Sequence, residues 1–115
     1  MLLRVDTNSA QPLHDQLAGQ LRLAISQGDP GPGDRLPPAR ELAGSLGLNV
    51  HTVLRAFQTL RDEGLLEVRR GRGTIVTGTA PDLASLNHLA RQLVAEARRA
   101  GLPDPDIRNL VEVHL

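Results

Sequence analysis

The sequence predicts a mainly α fold with a small β-hairpin, arranged as a winged helix-turn-helix followed by two C-terminal helices. Three observations predict it. Two helical patterns, over 38–47 and from Asn49 to Gly64, are joined by a tight, glycine-containing turn, as in a helix-turn-helix. Directly after them, the β-prone runs LLEV and TIVT flank the glycine-bearing RRGRG, which reads as a hairpin and supplies the wing. Last, residues 82–100 carry apolar side chains at alternating spacings of three and four, the pattern of a helix–helix seam.

Each element follows from local chemistry. Over 11–28, Leu13, Leu17, Leu21 and Ala24/Ile25 repeat on one helical face. Pro12 suits the first turn, where a missing N–H costs nothing, and Gly28 suits the position just past the end. DPGPGDR is a turn-rich connector, and Arg35-Leu36 before Pro37 reads as a very short extended piece. The second helix, 38–47, buries Leu42, Ala43 and Leu46 and ends at Gly47. Asn49, a preferred N-cap, opens the third, whose stripe is Val53, Phe57 and Leu60 with Ala56 beside them. His51, Arg55, Gln58 and Asp62 fall on its opposite side, and Gly64 closes it. Asp82 is placed to cap the fourth helix. After GLP, Asp104 as cap and Pro105 at the first helical position start a fifth, with Ile107, Leu110 and Val111 apolar. The domain boundaries expected are 1–79 for the winged unit and 80–115 for the helical segment.

Composition excludes whole classes of chemistry. The chain of 115 residues has no cysteine and no lysine, so all its basic residues are arginine or histidine. Disulfides and thiolate metal sites are excluded, as are a P-loop and a Schiff-base lysine for pyridoxal phosphate. GRGT lacks the third glycine and following helix of a dinucleotide fingerprint. His14, His51, His88 and His114 are too scattered for a metal motif. No catalytic constellation is present, so no enzyme, cofactor or metal is expected. No apolar run approaches the roughly 18 residues of a membrane span, and the start has Arg4 and Asp6 where a signal peptide is apolar; a cytoplasmic protein is expected.

The ordered motifs P-G-x-R-L-P, R-x-L-A, L-G-x-N, T-V-x-R-A, E-G-L and R-x-G-x-G-T lie between Gln11 and Val76. Together they resemble the winged-helix domain of the GntR superfamily of bacterial transcription regulators. LGLNVHTVLRAF and the short tail resemble its YtrA branch, which lacks a large effector-binding domain. The resemblance implies a homodimer that binds palindromic operator DNA and regulates transcription, as a repressor in the simplest case. Transporter operons are frequent targets in that branch. Arg40 matches a family arginine that contacts DNA; its alternative is a surface salt bridge. Two positions depart from the family pattern. Pro38 stands where many members have a phosphate-binding serine, and Val50 where many relatives outside the branch carry a base-reading arginine, so sequence preference does not transfer.

A helix-turn-helix offers the N-terminal turn of its second helix to the major groove. That places Asn49, Val50, His51 and Thr52 there, with Arg55 one turn later. Asn49 reads as a cap or a base contact, Thr52 as a phosphate contact, His51 as the base-edge contact and Arg55 as a backbone clamp. Val50 is also placed to meet a thymine methyl. In the wing, Arg69, Arg70 and Arg72 suit phosphates or the narrow minor groove, and Gly71 and Gly73 keep side chains off the duplex. The bland alternative is a solvated turn. Between residues 35 and 72 seven arginines face four carboxylates, so the formal net charge of zero does not exclude double-stranded DNA as partner.

In the tail, Leu83, Leu86, Ala90, Leu93 and Ala97 (with Ala100) form the expected dimerisation seam, the alternative being packing against the chain's own winged unit. Two such helices leave no room for an enclosed effector pocket of a few hundred Å3. A winged helix used as a protein-interaction module without sequence-specific DNA binding is the rival function. Its interface would favour aromatic anchors, and Phe57 is the chain's one aromatic residue.

Overall fold

Three glycines set where the helices of the winged unit end. Gly28, Gly47 and Gly64 all have positive φ (84°, 67° and 80°), the left-handed conformation that closes a helix at least cost when no Cβ is present. In the computed structural model, which describes residues 2–78 and 83–115, α1 spans Leu13–Ser26, α2 Ala39–Leu46 and α3 Val50–Asp62. The hairpin is β1 (Leu66–Arg69) and β2 (Gly73–Val76); α4 (Ala84–Arg99) and α5 (Asp104–Glu112) follow. The chain divides into two compact units, residues 1–82 and 83–115. The architecture is the mainly helical winged helix-turn-helix with two further helices that the sequence predicts.

The ends of α1 differ from expectation. The helix is two residues shorter at each end than the expected span of 11–28. Pro12 is the N-cap rather than a first-turn residue, because its ψ of 143° is extended while its carbonyl accepts from the Gln16 N–H at 3.1 Å. At the other end the Asp29 N–H reaches the Ala24 carbonyl at 3.2 Å and the Gly28 N–H the Ile25 carbonyl at 3.0 Å, the paired bonds of a Schellman cap. The chain before α1 lies along it, held where the Gln16 Oε1 accepts from the Asp6 N–H at 2.8 Å and Gln16 Nε2 donates to the Asp6 carbonyl.

The core of the winged unit joins Leu17, Leu21 and Ile25 of α1, Leu42 and Ala43 of α2, and Val53, Ala56, Phe57 and Leu60 of α3. Leu36, Leu65, Leu66 and Val76 close it from the connector and hairpin side. No polar residue is buried among the described residues. The strands pair antiparallel with Leu66 opposite Val76 and Arg69 opposite Gly73, one residue later in β1 and one earlier in β2 than the apolar runs. The short extended piece is real: Arg35 bridges Ile75, and the Leu36 N–H donates to the Thr74 carbonyl at 2.8 Å. β2 is therefore flanked on both edges, which stiffens the wing's base.

In the second unit the fourth helix begins with Leu83 as N-cap, without a side-chain cap bond; the cap expected at Asp82 lies outside the described residues. α4 ends with the Leu102 N–H on the Ala97 carbonyl at 3.0 Å, and α5 starts one residue earlier than expected. Pro103 is its N-cap and Asp104 its first residue, because Pro103 (ψ 159°) already holds the extended capping conformation and its carbonyl accepts from the Ile107 N–H. Asp104 is turned to Arg98 instead, at 3.4 Å. Among the described residues, Ala97 and Ile107 are the buried apolar side chains of this unit.

Candidate nucleic-acid interface

The N-terminus of α3 is organised by a side-chain cap. Asn49 Oδ1 accepts from the His51 N–H at 2.8 Å, so the cap reading of Asn49 is realised in the free chain, with its amide donors still available. Four residues of α3, Val53, Ala56, Phe57 and Leu60, occupy the core. That leaves His51, Leu54, Arg55 and Gln58, related by helical spacing, exposed. The two halves of this outer face differ. Towards the C-terminus, Gln58 Nε2 donates to Asp62 Oδ1 at 2.8 Å and Arg61 reaches Gln58 Oε1 at 3.4 Å. In the first turns, the side chains of His51, Leu54 and Arg55 have no polar partner among the described residues. Thr52 is half-buried, and Val50 packs partly against the core, which removes much of it from any groove.

At the wing the Arg72 N–H donates to the Arg69 carbonyl at 3.0 Å, closing a tight turn through Arg70 and Gly71. Gly71 (φ 76°) and Gly73 (φ 81°) hold backbone conformations that disfavour side chains. Their glycines are thus required by the turn itself, a reason the sequence reading did not weigh. Arg69 sits 3.6 Å from Glu67, an exposed pair that contributes roughly 0–1 kcal/mol and is readily exchanged for a phosphate. Arg70 and Arg72 are exposed and make no ion pair among the described residues.

The zero net charge conceals uneven pairing. Within the winged unit, carboxylates are engaged away from the first turns of α3 and from the wing tip: Glu63 by Arg22, Asp62 by Gln58, and Asp34 by the Gly31 N–H at 2.8 Å. Of the seven arginines between residues 35 and 72, Arg69 alone is in an ion pair among the described residues. The Arg22–Glu63 pair is bidentate, at 2.7 and 2.8 Å, and ties α1 to the end of α3. The hydrogen bond from Arg22, with its charge, holds the Glu63 carboxyl below its usual range against a smaller desolvation effect. The same bond raises Arg22.

A cap-anchored helix with a free first turn, followed by a glycine-turned cationic wing, is a DNA-reading arrangement. The family model "Bacterial regulatory proteins, gntR family" matches residues 13–76, more than half of the chain. The chain belongs to the GntR family. It is a DNA-binding transcription regulator of that family, and its relatives include YtrA-like proteins. The HTH-type transcriptional repressor YtrA of Bacillus subtilis is 32% identical over 107 residues, covering 88% of this chain and 82% of its own. The solved structure of YtrA from Sulfolobus acidocaldarius, a GntR-family transcription factor, is 34% identical at a TM-score of 0.64, covering 83% of this chain and 99% of that one. The AraR DNA-binding domain in complex with operator ORX1 is 26% identical with TM-score 0.59, covering 67% and 96%.

All the GntR positions singled out by sequence are on the surface: Arg40, Asn49, His51, Arg55, Arg69, Arg70, Gly71, Arg72 and Gly73 are exposed, with Thr52 half-buried. Two residues were missed. Arg35 runs its stem beside the wing, where a Cβ built on Gly73 would stand 3.5 Å from the Arg35 Cδ. Leu54 is exposed on α3. The bridge to Ile75 explains the first: the sequence marks Arg35 as part of a short extended piece, but not the strand that this piece meets. The second was legible, since Leu54 lies outside the Val53/Phe57/Leu60 stripe. No helix of the described residues is long and apolar enough to cross a membrane.

Proposed function

We propose that the protein is a cytoplasmic transcriptional repressor that binds a palindromic operator as a homodimer. The observation that carries the DNA-facing part is the set of arginines from Arg35 to Arg72, of which only Arg69 is in an ion pair among the described residues, together with the free first turn of α3. His51 reads a base edge in the major groove, with the Asn49 amide donors beside it. Arg40, Thr52 and Arg55 hold phosphates, and Arg69, Arg70 and Arg72 follow the backbone into the minor groove, whose potential is most negative where it is narrow. The AraR–operator complex supports this use of the fold, and the repressor named YtrA supports the sign of regulation. Bound across a promoter, such a dimer excludes polymerase.

The dimer is supported by the second unit. Leu86 and Leu89 on α4, and Leu110, Val111 and Val113 further on, are all exposed, an apolar surface that a lone soluble chain rarely leaves open. Leu83, Leu86, Ala90 and Leu93 form the seam, with Ala97 buried beneath it. An open groove of about 420 Å3 between α4 and α5, lined by Leu93, Val94, Ile107 and Val111, receives side chains of the second copy.

A gel shift on the protein's own promoter, in excess competitor DNA, tests the reading. A complex that resists competitor, footprints as an inverted repeat and lowers transcription from that promoter supports it. A complex abolished by random DNA at equal mass would contradict it.

A further inference from the structure

Leu54 is 47% exposed at the middle of the outer face of α3, three residues after His51 and four before Gln58. Packing does not place it there, because the core side of the helix is already filled by Val53, Ala56, Phe57 and Leu60, none more than 5% exposed. Val50, the other apolar residue of the first turn, is drawn partly into the core. Leu54 is therefore the free apolar group among side chains that are otherwise polar. A major groove offers one apolar feature to such a group, the C5-methyl of thymine.

We infer that Leu54 is a specificity-determining residue that packs on a thymine methyl in each half-site. This rests on the DNA-reading role proposed above. His51 and Leu54 then divide the reading of adjacent base pairs, the first by a hydrogen bond to a base edge and the second by excluding water from a methyl. Cytosine at that position removes the methyl and leaves an amine donor without a partner, so it is discriminated against.

The test uses the full chain and duplexes selected from a random library. In the selected sequence each thymine is replaced in turn by deoxyuridine, which removes the methyl and keeps base pairing. One thymine per half-site is expected to lose about three- to fivefold in affinity, the effect of one buried methyl group. Leu54→Ala should bind the thymine duplex more weakly by a similar factor and be indifferent to deoxyuridine there, while Leu54→Met keeps the discrimination. Equal wild-type binding to every deoxyuridine duplex would overturn the inference, as would Leu54→Ala retaining the full discrimination with an unchanged melting temperature. Recovery of no preferred duplex would overturn the DNA-reading role, and the inference with it.

Discussion

The two units solve the burial problem differently. The winged unit encloses its own core: Leu17, Leu21, Val53 and Leu60 are completely buried, and its glycine-capped helices meet a hairpin whose second strand is flanked on both edges. The second unit buries Ala97 and Ile107 and leaves Leu86 at 62% and Val113 at 76% exposed. Burial of apolar area is the main favourable term in folding, so the first unit has what it needs within one chain. The second gains most by covering itself with something else. On the proposed function this contrast is a division of labour, one unit reading DNA and the other offering the surface through which two copies would join.

The largest expected effect sharpens this contrast. Leu60→Ala should cost roughly 2–5 kcal/mol in denaturant unfolding, because a fully enclosed side chain leaves a cavity. Leu86→Ala, compared at a dilution where the chain is monomeric, should change stability by less than about 0.5 kcal/mol, while weakening association at higher concentration. Similar costs at both positions would erase the distinction.

Within the winged unit the comparison moves to α3 against the wing. His51→Ala should relax discrimination at one base position by roughly 1–3 kcal/mol and leave nonspecific affinity nearly intact. A uniform weakening across sequences would make His51 a backbone contact. Arg72→Ala should do the opposite: weaken all duplexes alike and flatten the slope of log affinity against log salt by about one unit. An unchanged slope would leave the wing tip in solvent.

The smallest effect concerns the pair that ties α1 to α3. Glu63 has its folded pKa lowered by Arg22, so its stabilisation is present above the ordinary carboxylate value and is lost as pH falls through the lower folded value. Both side chains are about a third exposed (31% and 37%), which holds the contribution below about 1 kcal/mol. Thermal melts should show the wild type losing that increment in acid, and Glu63→Gln lacking it at neutral pH. Parallel melting curves from neutral pH to pH 3 would contradict the assignment.

Much of this was legible because punctuation in the chain is chemical. Gly28, Gly47 and Gly64 end helices for a reason stated by their lack of a side chain, and Asn49 caps α3 because its oxygen reaches the backbone two residues on. The core stripe of α3 follows from spacing alone. What escaped depends on partners distant in sequence. Arg22 and Glu63 are 41 residues apart, and Arg35 meets Gly73 only because the connector pairs with β2. The start of α5 shifted because Pro103 and Asp104 both suit a cap, and the extended proline took it. The candidate DNA contacts were readable by position in the helix-turn-helix. Which of them are already engaged, such as Asn49 with the His51 N–H and Arg69 with Glu67, was not.

The central claim is that the winged unit suffices to fold and read a half-site while the second unit makes the dimer. Sedimentation equilibrium of a chain cut after residue 79, read alongside its affinity for full and half operators, tests it most directly. The account predicts a folded monomer that binds a half-site as well as the intact chain does. It should lose the gain on the full palindrome, a factor of roughly 10²–10⁴ when two readers are linked. A truncated chain that still sediments as a dimer and holds the full operator with undiminished affinity would contradict it.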